Sequence, residues 1–267
     1  HNNFGQGGQA HDVIDVLARH GMVLQDAFPG KMVDERYRHR PLARQIREKI
    51  TVLNQQREEF DVDNLKTLNA ILEEHIGEIP RKAKTPDGRK TPEQIREHFD
   101  IDPSDYVELT SYIHHPFYQP FVLEVPDNWS HASYYNLPID ELMEVMFYAL
   151  KNGYTFCWDG DTSEETFSHS EGLAFLPPEI RGNVDQQLRQ ETFFSRTTTD
   201  DHLMHVVGLS QNEKGEYAFL TKNSWGAESN DFGGYLQMSE DYVRLKTIAI
   251  MVHKNAIPTP VYRKLKF

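Results

Sequence analysis

"YAFLTKNSWG", residues 217–226, decides how this chain is read. An apolar run ends abruptly in Asn223, Ser224, Trp225 and Gly226. The pattern predicts a strand over 216–223 that delivers an amide side chain at its end, with an indole two residues later. Upstream, "TTTDDHLMHVVGL" (197–209) predicts a strand over 202–209 that opens with His202 and closes near Gly208. Downstream, "DFGGYLQMS" (231–239) turns on two glycines into a further strand. Neighbouring antiparallel strands can hold an imidazole and an amide rigidly together. The amide oxygen accepts the proton on one ring nitrogen and leaves the other to face a nucleophile. An indole beside that hydrogen bond excludes water and strengthens it. His202, Asn223 and Trp225 supply these parts in that order. Taken singly, His202 reads as a buried structural histidine and Trp225 as plain core; their combination favours chemistry.

Working outward, strands are also expected at 121–125, 154–158, 234–239 and 247–253. Those from 202 onward are separated by Gly, Asn and acidic turns, as in an antiparallel sheet. Helices are expected at 10–20, 40–58, 61–76, 91–99 and 139–151. Gly21 suits the C-terminal cap of the first. "TPEQ" (91–94) carries the start signal of the fourth, with Thr91 as cap, Pro92 at the first helical position and Gln94 reaching back. "KAKTPDGRK" (82–90) reads as an exposed loop around a Pro-Asp-Gly turn. Helices first and sheet last make an α+β fold. The expected parts are a helical remainder (1–35), a helical insertion (36–110) and a β-rich subdomain, an antiparallel sheet or barrel (111–267).

Hydrophobic residues make up 38% and aromatics 11% of 267 residues, enough for a packed core. Lys and Arg number 28 against 41 Asp and Glu, a net charge of −13. Such a surface repels phosphate backbones and excludes nucleic acid as the main partner. No apolar run approaches the length of a membrane span. The chain holds one cysteine and so no internal disulfide, which fits a reducing, cytoplasmic setting. It opens "HNNFGQGGQAHDV", without an initiator Met or a signal segment, and reads as entered mid-protein.

"HLMHVVGL", "KNSWG" and "GGYLQMS" together resemble the His and Asn regions of papain-like cysteine peptidases. "GGQAHDVIDVLARHGMV" resembles the stretch that follows their nucleophile. The long middle insertion, "PIDELMEVMFYALKNGYTFCWDGD" and the single cysteine are most similar to the bleomycin hydrolase and aminopeptidase C branch. The resemblance implies His202 as general base and acid, Asn223 as its orienting partner and Trp225 as the shield. It further implies that Gly7 and Gly8 admit an extended peptide substrate, since no Cβ blocks the approach. Asp201 would line the leaving-group side. A homo-hexameric barrel with interior sites, and a C-terminal arm that limits access to free N-termini, are implied for the whole enzyme. Whether the basic tail "IPTPVYRKLKF" plays that part leaves exopeptidase and endopeptidase action open. No cofactor is expected.

The family's nucleophile precedes the Gly-Gly segment, in a Gln…Cys-Trp stretch that also forms the oxyanion hole. It is expected on an upstream polypeptide segment. Cys157, followed by Trp158, is the tempting substitute. It lies in a strand-like apolar run with Asp159 and Asp161 close behind, and burial and negative charge both disfavour a thiolate. Cys157 is therefore expected to be a bystander. His205 falls on the opposite strand face from His202, a poor arrangement for a metal. "DGDTSEE" (159–165) reads as a solvated turn, and His114–His115 as structural or surface residues. The alternatives are a non-catalytic binding domain that lost its nucleophile and, more remotely, a metal hydrolase.

Overall fold

The structure is a computed structural model and describes residues 7–33, 37–56 and 60–267. Among these, Gly7 and Val16–Asp102 form one compact unit, and Gly8–Asp15 with Pro103–Phe267 form another.

Helix α1 (Ala10–His20) contributes residues to both units, and α2 (His39–Gln56) and α3 (Val62–Ile76) belong to the first. All three match their expected positions closely. Gly21 closes α1 at φ +69°, and its N–H reaches the Leu17 carbonyl at 3.0 Å. A Cβ there would lie 2.2 Å from the backbone of Pro92, so both conformation and space demand glycine. The apolar residues of α1, spaced as on one helix face, are not all buried: Ala10 is covered, but Val13 and Val16 are 60% and 51% exposed. The 82–90 stretch also departs from expectation. It is a hairpin of β1 (Ala83–Thr85) and β2 (Gly88–Lys90), closed by the Thr85 hydroxyl on Asp87 and by a Lys90–Asp87 ion pair at 2.8 Å. These side-chain bonds stiffen the Pro-Asp-Gly turn enough to align its flanks. Helix α4 (Pro92–His98) carries the expected capping box, with Thr91 and Gln94 bonded reciprocally.

The second unit continues with β3 (Tyr106–Thr110), β4 (Pro120–Val122), β5 (Ser133–Asn136), α5 (Ile139–Lys151), β6 (Phe156–Gly160), β7 (Phe167–Ser168) and β8 (Leu173–Ala174). Helix α6 (Gln186–Ser195), β9 (His202–Gln211), β10 (Tyr217–Lys222), β11 (Tyr235–Ser239), α7 (Glu240–Lys246), β12 (Thr247–His253) and α8 (Thr259–Leu265) follow. Ten strands make one sheet in the order β4-β5-β3-β12-β6-β9-β10-β11-β8-β7. Two expectations are corrected here. The sheet is mixed, because β3–β5 and β8–β11 run parallel, and no closed barrel is seen among the described residues. Nor does β12 extend the β9–β10–β11 meander. Ser239 caps α7 through its hydroxyl, and that helix carries the chain back so that β12 enters between β3 and β6.

The main core lies between α5 and the sheet. Leu142, Met143, Val145, Met146 and Ala149 on one helix face join Leu109, Trp158, Val206, Phe219, Leu236 and Ile250 from six strands. Each large apolar side chain so buried contributes about 1.5–3 kcal/mol. The helix spacing and the strand alternation thus converge on one layer, which fixes the register of β6, β9 and β10.

Candidate active site

That register positions the two polar side chains. His202 begins β9 opposite Gly160 of β6, and Asn223 follows the last residue of β10. The Asn223 N–H is bonded to the Gly234 carbonyl at 3.0 Å, just before β11. His202 Nε2 lies 2.8 Å from Asn223 Oδ1. The Ser224 N–H donates to the same oxygen at 2.7 Å, which identifies it as the carbonyl end of the amide. His202 Nε2 is therefore the donor, and the neutral ring carries its lone pair on Nδ1. Asn223 is buried, whereas Trp225 is 55% exposed. The indole nonetheless stacks on His202 at 5.5 Å and 28°, so it covers the pair from solvent and is not core.

Sequence reasoning missed His169. Its Nδ1 lies 3.3 Å from Asn223 Nδ2, and its Nε2 lies 2.8 Å from Ser229 Oγ. The amide N–H must donate, so His169 Nδ1 accepts and Nε2 donates to Ser229. The Ser229 hydroxyl then donates to the Gly226 carbonyl at 2.6 Å. Trp225 meets His169 edge-on at 4.7 Å. Burial, and the charge that His202 can carry, lower the His169 pKa and favour the neutral form this network needs. No local pattern marks His169: it stands far upstream of Asn223 in a polar segment.

The remaining candidates take varied places. Asp201 braces its own loop, accepting from the Thr162 N–H at 3.1 Å and the Thr199 hydroxyl at 2.7 Å. Gly7 is exposed. A Cβ on Gly8 would come within 2.8 Å of Asp12 Oδ2, the oxygen that also accepts from the Gln9 N–H at 2.9 Å. Gln9, also missed, donates to Asp200 Oδ2 at 2.8 Å and ties this segment to the residues just before His202. Cys157 sits in β6 opposite His205 and Met251. Burial first, then the charges of Asp159 and Glu108, push its thiol up to about 12.

The reading of 159–165 as a solvated turn is overturned. Asp159 belongs to β6, and both Asp159 and Asp161 are buried. Asp161 accepts from Ser163 through N–H and hydroxyl at 2.7 and 2.8 Å and meets Lys246 at 3.3 Å. Lys246 also pairs with Glu164 at 2.8 Å. A lysine from α7 compensates the buried charge, and nothing in the local sequence announces it.

A profile of the peptidase C1-like family matches residues 81–266. Aminopeptidase G of Lactobacillus delbrueckii subsp. lactis is 25% identical over 167 residues, which are 60% of this chain and 38% of that protein. The crystal structure of PepW from Lactobacillus rhamnosis superposes with a TM-score of 0.76 at 18% identity, covering 97% of this chain and 65% of that one. The chain thus spans less than two thirds of the length of both, and the likeness to PepW establishes the fold. Among the described residues, no helix is long and apolar enough to cross a membrane. With a family profile that matches well over half of its length, the chain belongs to the peptidase C1-like family.

Proposed function

We propose that this chain is the His- and Asn-bearing part of a cysteine peptidase of the aminopeptidase C and bleomycin hydrolase type. His202 Nδ1 takes the proton of a cysteine thiol as the sulfur attacks a peptide carbonyl. The imidazolium returns that proton to the leaving amine, and the ring then activates water against the acyl-enzyme. Asn223 holds the ring through its Nε2–H, and Trp225 keeps water from that bond. The observation that carries this reading is the 2.8 Å contact from His202 Nε2 to the Asn223 oxygen, which leaves Nδ1 for a nucleophile.

In this proposal the nucleophile and oxyanion hole lie on a polypeptide segment upstream of His1. Gly7 and Gly8 receive the extended substrate, Asp201 lines the leaving-group side, and Cys157 takes no part. The proposal extends to peptide substrates with free N-termini, a homo-hexamer, a cytoplasmic setting and the three-part division at 35 and 110.

The test is hydrolysis of a fluorogenic aminoacyl amide by the protein with its upstream segment. His202→Ala should lower kcat/KM by about 10²–10⁴-fold, and Cys157→Ser should leave it unchanged. The 267-residue chain alone should show no thiol-dependent hydrolysis. Activity in the isolated chain that Cys157→Ser abolishes would overturn the proposal. A full-length protein without an upstream cysteine, inactive but still binding peptide, would instead mark a binding domain that lost its nucleophile.

A further inference from the structure

His114 and His115 lie in the turn after β3, and Glu124 lies just past β4. Glu124 Oε2 is 3.1 Å from His114 Nε2, and Oε1 is 2.8 Å from His115 Nε2. One ligand atom from each of the three residues falls within 4.8 Å of the other two. The sequence reading of these histidines as merely structural or surface residues does not anticipate this convergence.

Both rings are held in place by their surroundings. His115 stacks on Phe121 at 4.1 Å, and His114 stacks on Phe193 at 5.9 Å. His114 Nδ1 lies 3.2 Å from Gln190 Oε1. That oxygen also accepts from the Ile113 N–H at 2.7 Å, which identifies it as the carbonyl end of the amide. His114 Nδ1 therefore carries the hydrogen, and Nε2 of the neutral ring turns a lone pair toward Glu124. A lone pair 3.1 Å from a carboxylate oxygen is repulsive unless a cation lies between them. That cation is either a proton or a metal ion.

A ring N–H held by a carbonyl, with the opposite nitrogen presented outward, is how proteins orient a histidine that ligates a metal. Tetrahedral Zn²⁺ at 2.0–2.2 Å from N and O ligands needs those atoms roughly 3.3–3.5 Å apart. Small side-chain shifts bring the three atoms to that spacing. Two imidazoles and one carboxylate suit Zn²⁺ or a neighbouring late transition metal, and lack the oxygens that Ca²⁺ or Mg²⁺ require. His114 and Glu124 also line a cavity of about 850 Å³, from which a water or a ligand could complete the coordination. We propose that His114, His115 and Glu124 bind one Zn²⁺ ion per chain.

The test is calorimetric titration of the chelator-treated full chain with ZnCl₂, alongside thermal unfolding with and without the metal. One equivalent should bind, and His115→Ala and Glu124→Gln should each weaken it at least about tenfold. His205→Ala, which removes an exposed histidine elsewhere, should leave the affinity unchanged. Zn²⁺ should raise the Tm of the parent chain and not that of the His114→Ala/His115→Ala double variant. Saturable binding that is absent, equal in all variants, or lost with His202→Ala in place of His115→Ala would overturn the proposal. The cluster would then be a carboxylate hydrogen-bonded by two histidines.

Discussion

Asn223 meets a histidine at each end of its amide, His202 through oxygen and His169 through nitrogen. Rotating the amide by half a turn would break both contacts and that of Ser224. In the proposed peptidase, His169 is thus a positioning residue. Its replacement by Ala should let Asn223 turn and lower kcat by about 10–100-fold with KM little changed. His169→Gln, whose side-chain oxygen can accept the same N–H, should recover part of that loss. Steady-state kinetics of the two variants, with the upstream segment present, checks this. At Cys157 the opposite logic holds. With a thiol pushed up to about 12, only about 10⁻⁴ is thiolate at pH 8. Alkylation should be at least about 100-fold slower than for a free thiol in the folded protein, and should reach the ordinary rate in denaturant. Fast modification of the native chain would contradict the raised thiol pKa. Both readings of Cys157 agree because its neighbours in sequence, Asp159 above all, are also its neighbours in space. His169 was illegible for the converse reason: its partners come from the loop after β10, distant in the chain.

Helix ends are the parts of the elements most directly written in the sequence. Thr91 and Gln94 form the expected box, and Thr91→Ala should cost about 0.5–2 kcal/mol, read as a shift in the chemical-denaturation midpoint. Helix α7 ends differently, on a residue from another element. Arg189 of α6 is fully buried and donates from Nη1 to the carbonyls of Arg244 and Leu245, at 3.1 and 3.2 Å. Its Nε donates to the Ser111 carbonyl at 2.8 Å, and its guanidinium lies over the Tyr112 ring at 4.8 Å. A cation at a helix C-terminus meets the negative end of the dipole and satisfies carbonyls that have no partner within the helix. Arg189→Met keeps the bulk but removes the side-chain donor from the Arg244 and Leu245 carbonyls at the end of α7, so it should destabilise by about 2–4 kcal/mol. Thermal or urea unfolding measures the loss; a change under 1 kcal/mol, on the scale of a surface site, would refute this role. No sequence pattern predicts α6 or Arg189, because the helix is mostly polar and its purpose lies in contacts to α7 and to the residues just after β3.

At the scale of the whole molecule, the net charge is −13, and carboxylates meet inside the fold as well as on its surface. Burial, then the charges of Asp200 and Glu108, raise Asp159 well above the usual carboxylate range. Asp200 is raised as well, chiefly by burial. The two titrate as one unit and favour holding a proton. A carboxyl raised by folding stabilises the fold fully below its unfolded pKa near ~3.9, and that stability is lost as pH rises through the folded value. His11 acts in the same direction. Burial opposes its protonation, but the hydrogen bond and charge of Glu108 outweigh burial and raise it, so its contribution is complete below its unfolded value and lost as pH climbs through the folded one. Asp159→Asn removes the charge and should raise Tm by about 2–4 °C at pH 8, on the order of 1 kcal/mol for a chain of this size. The gain should shrink toward pH 4, where the parent carboxyl already holds its proton. Calorimetry at the two pH values tests the sign, and a variant less stable at pH 8 would contradict it.

By itself the sequence determined the helices with clear periodicity and caps, the strands β9, β10 and β11, and the pairing candidates His202 and Asn223. These rest on local rules of spacing, capping and turn chemistry. Only the tertiary structure decided the insertion of β12 between β3 and β6, the two parallel pairings and the open edges of the sheet. It also placed Lys246 on Asp161, His169 on Asn223 and Glu124 between His114 and His115. All but the last of these join residues far apart in the chain, and their meeting depends on how the layers pack, which no single stretch of sequence contains.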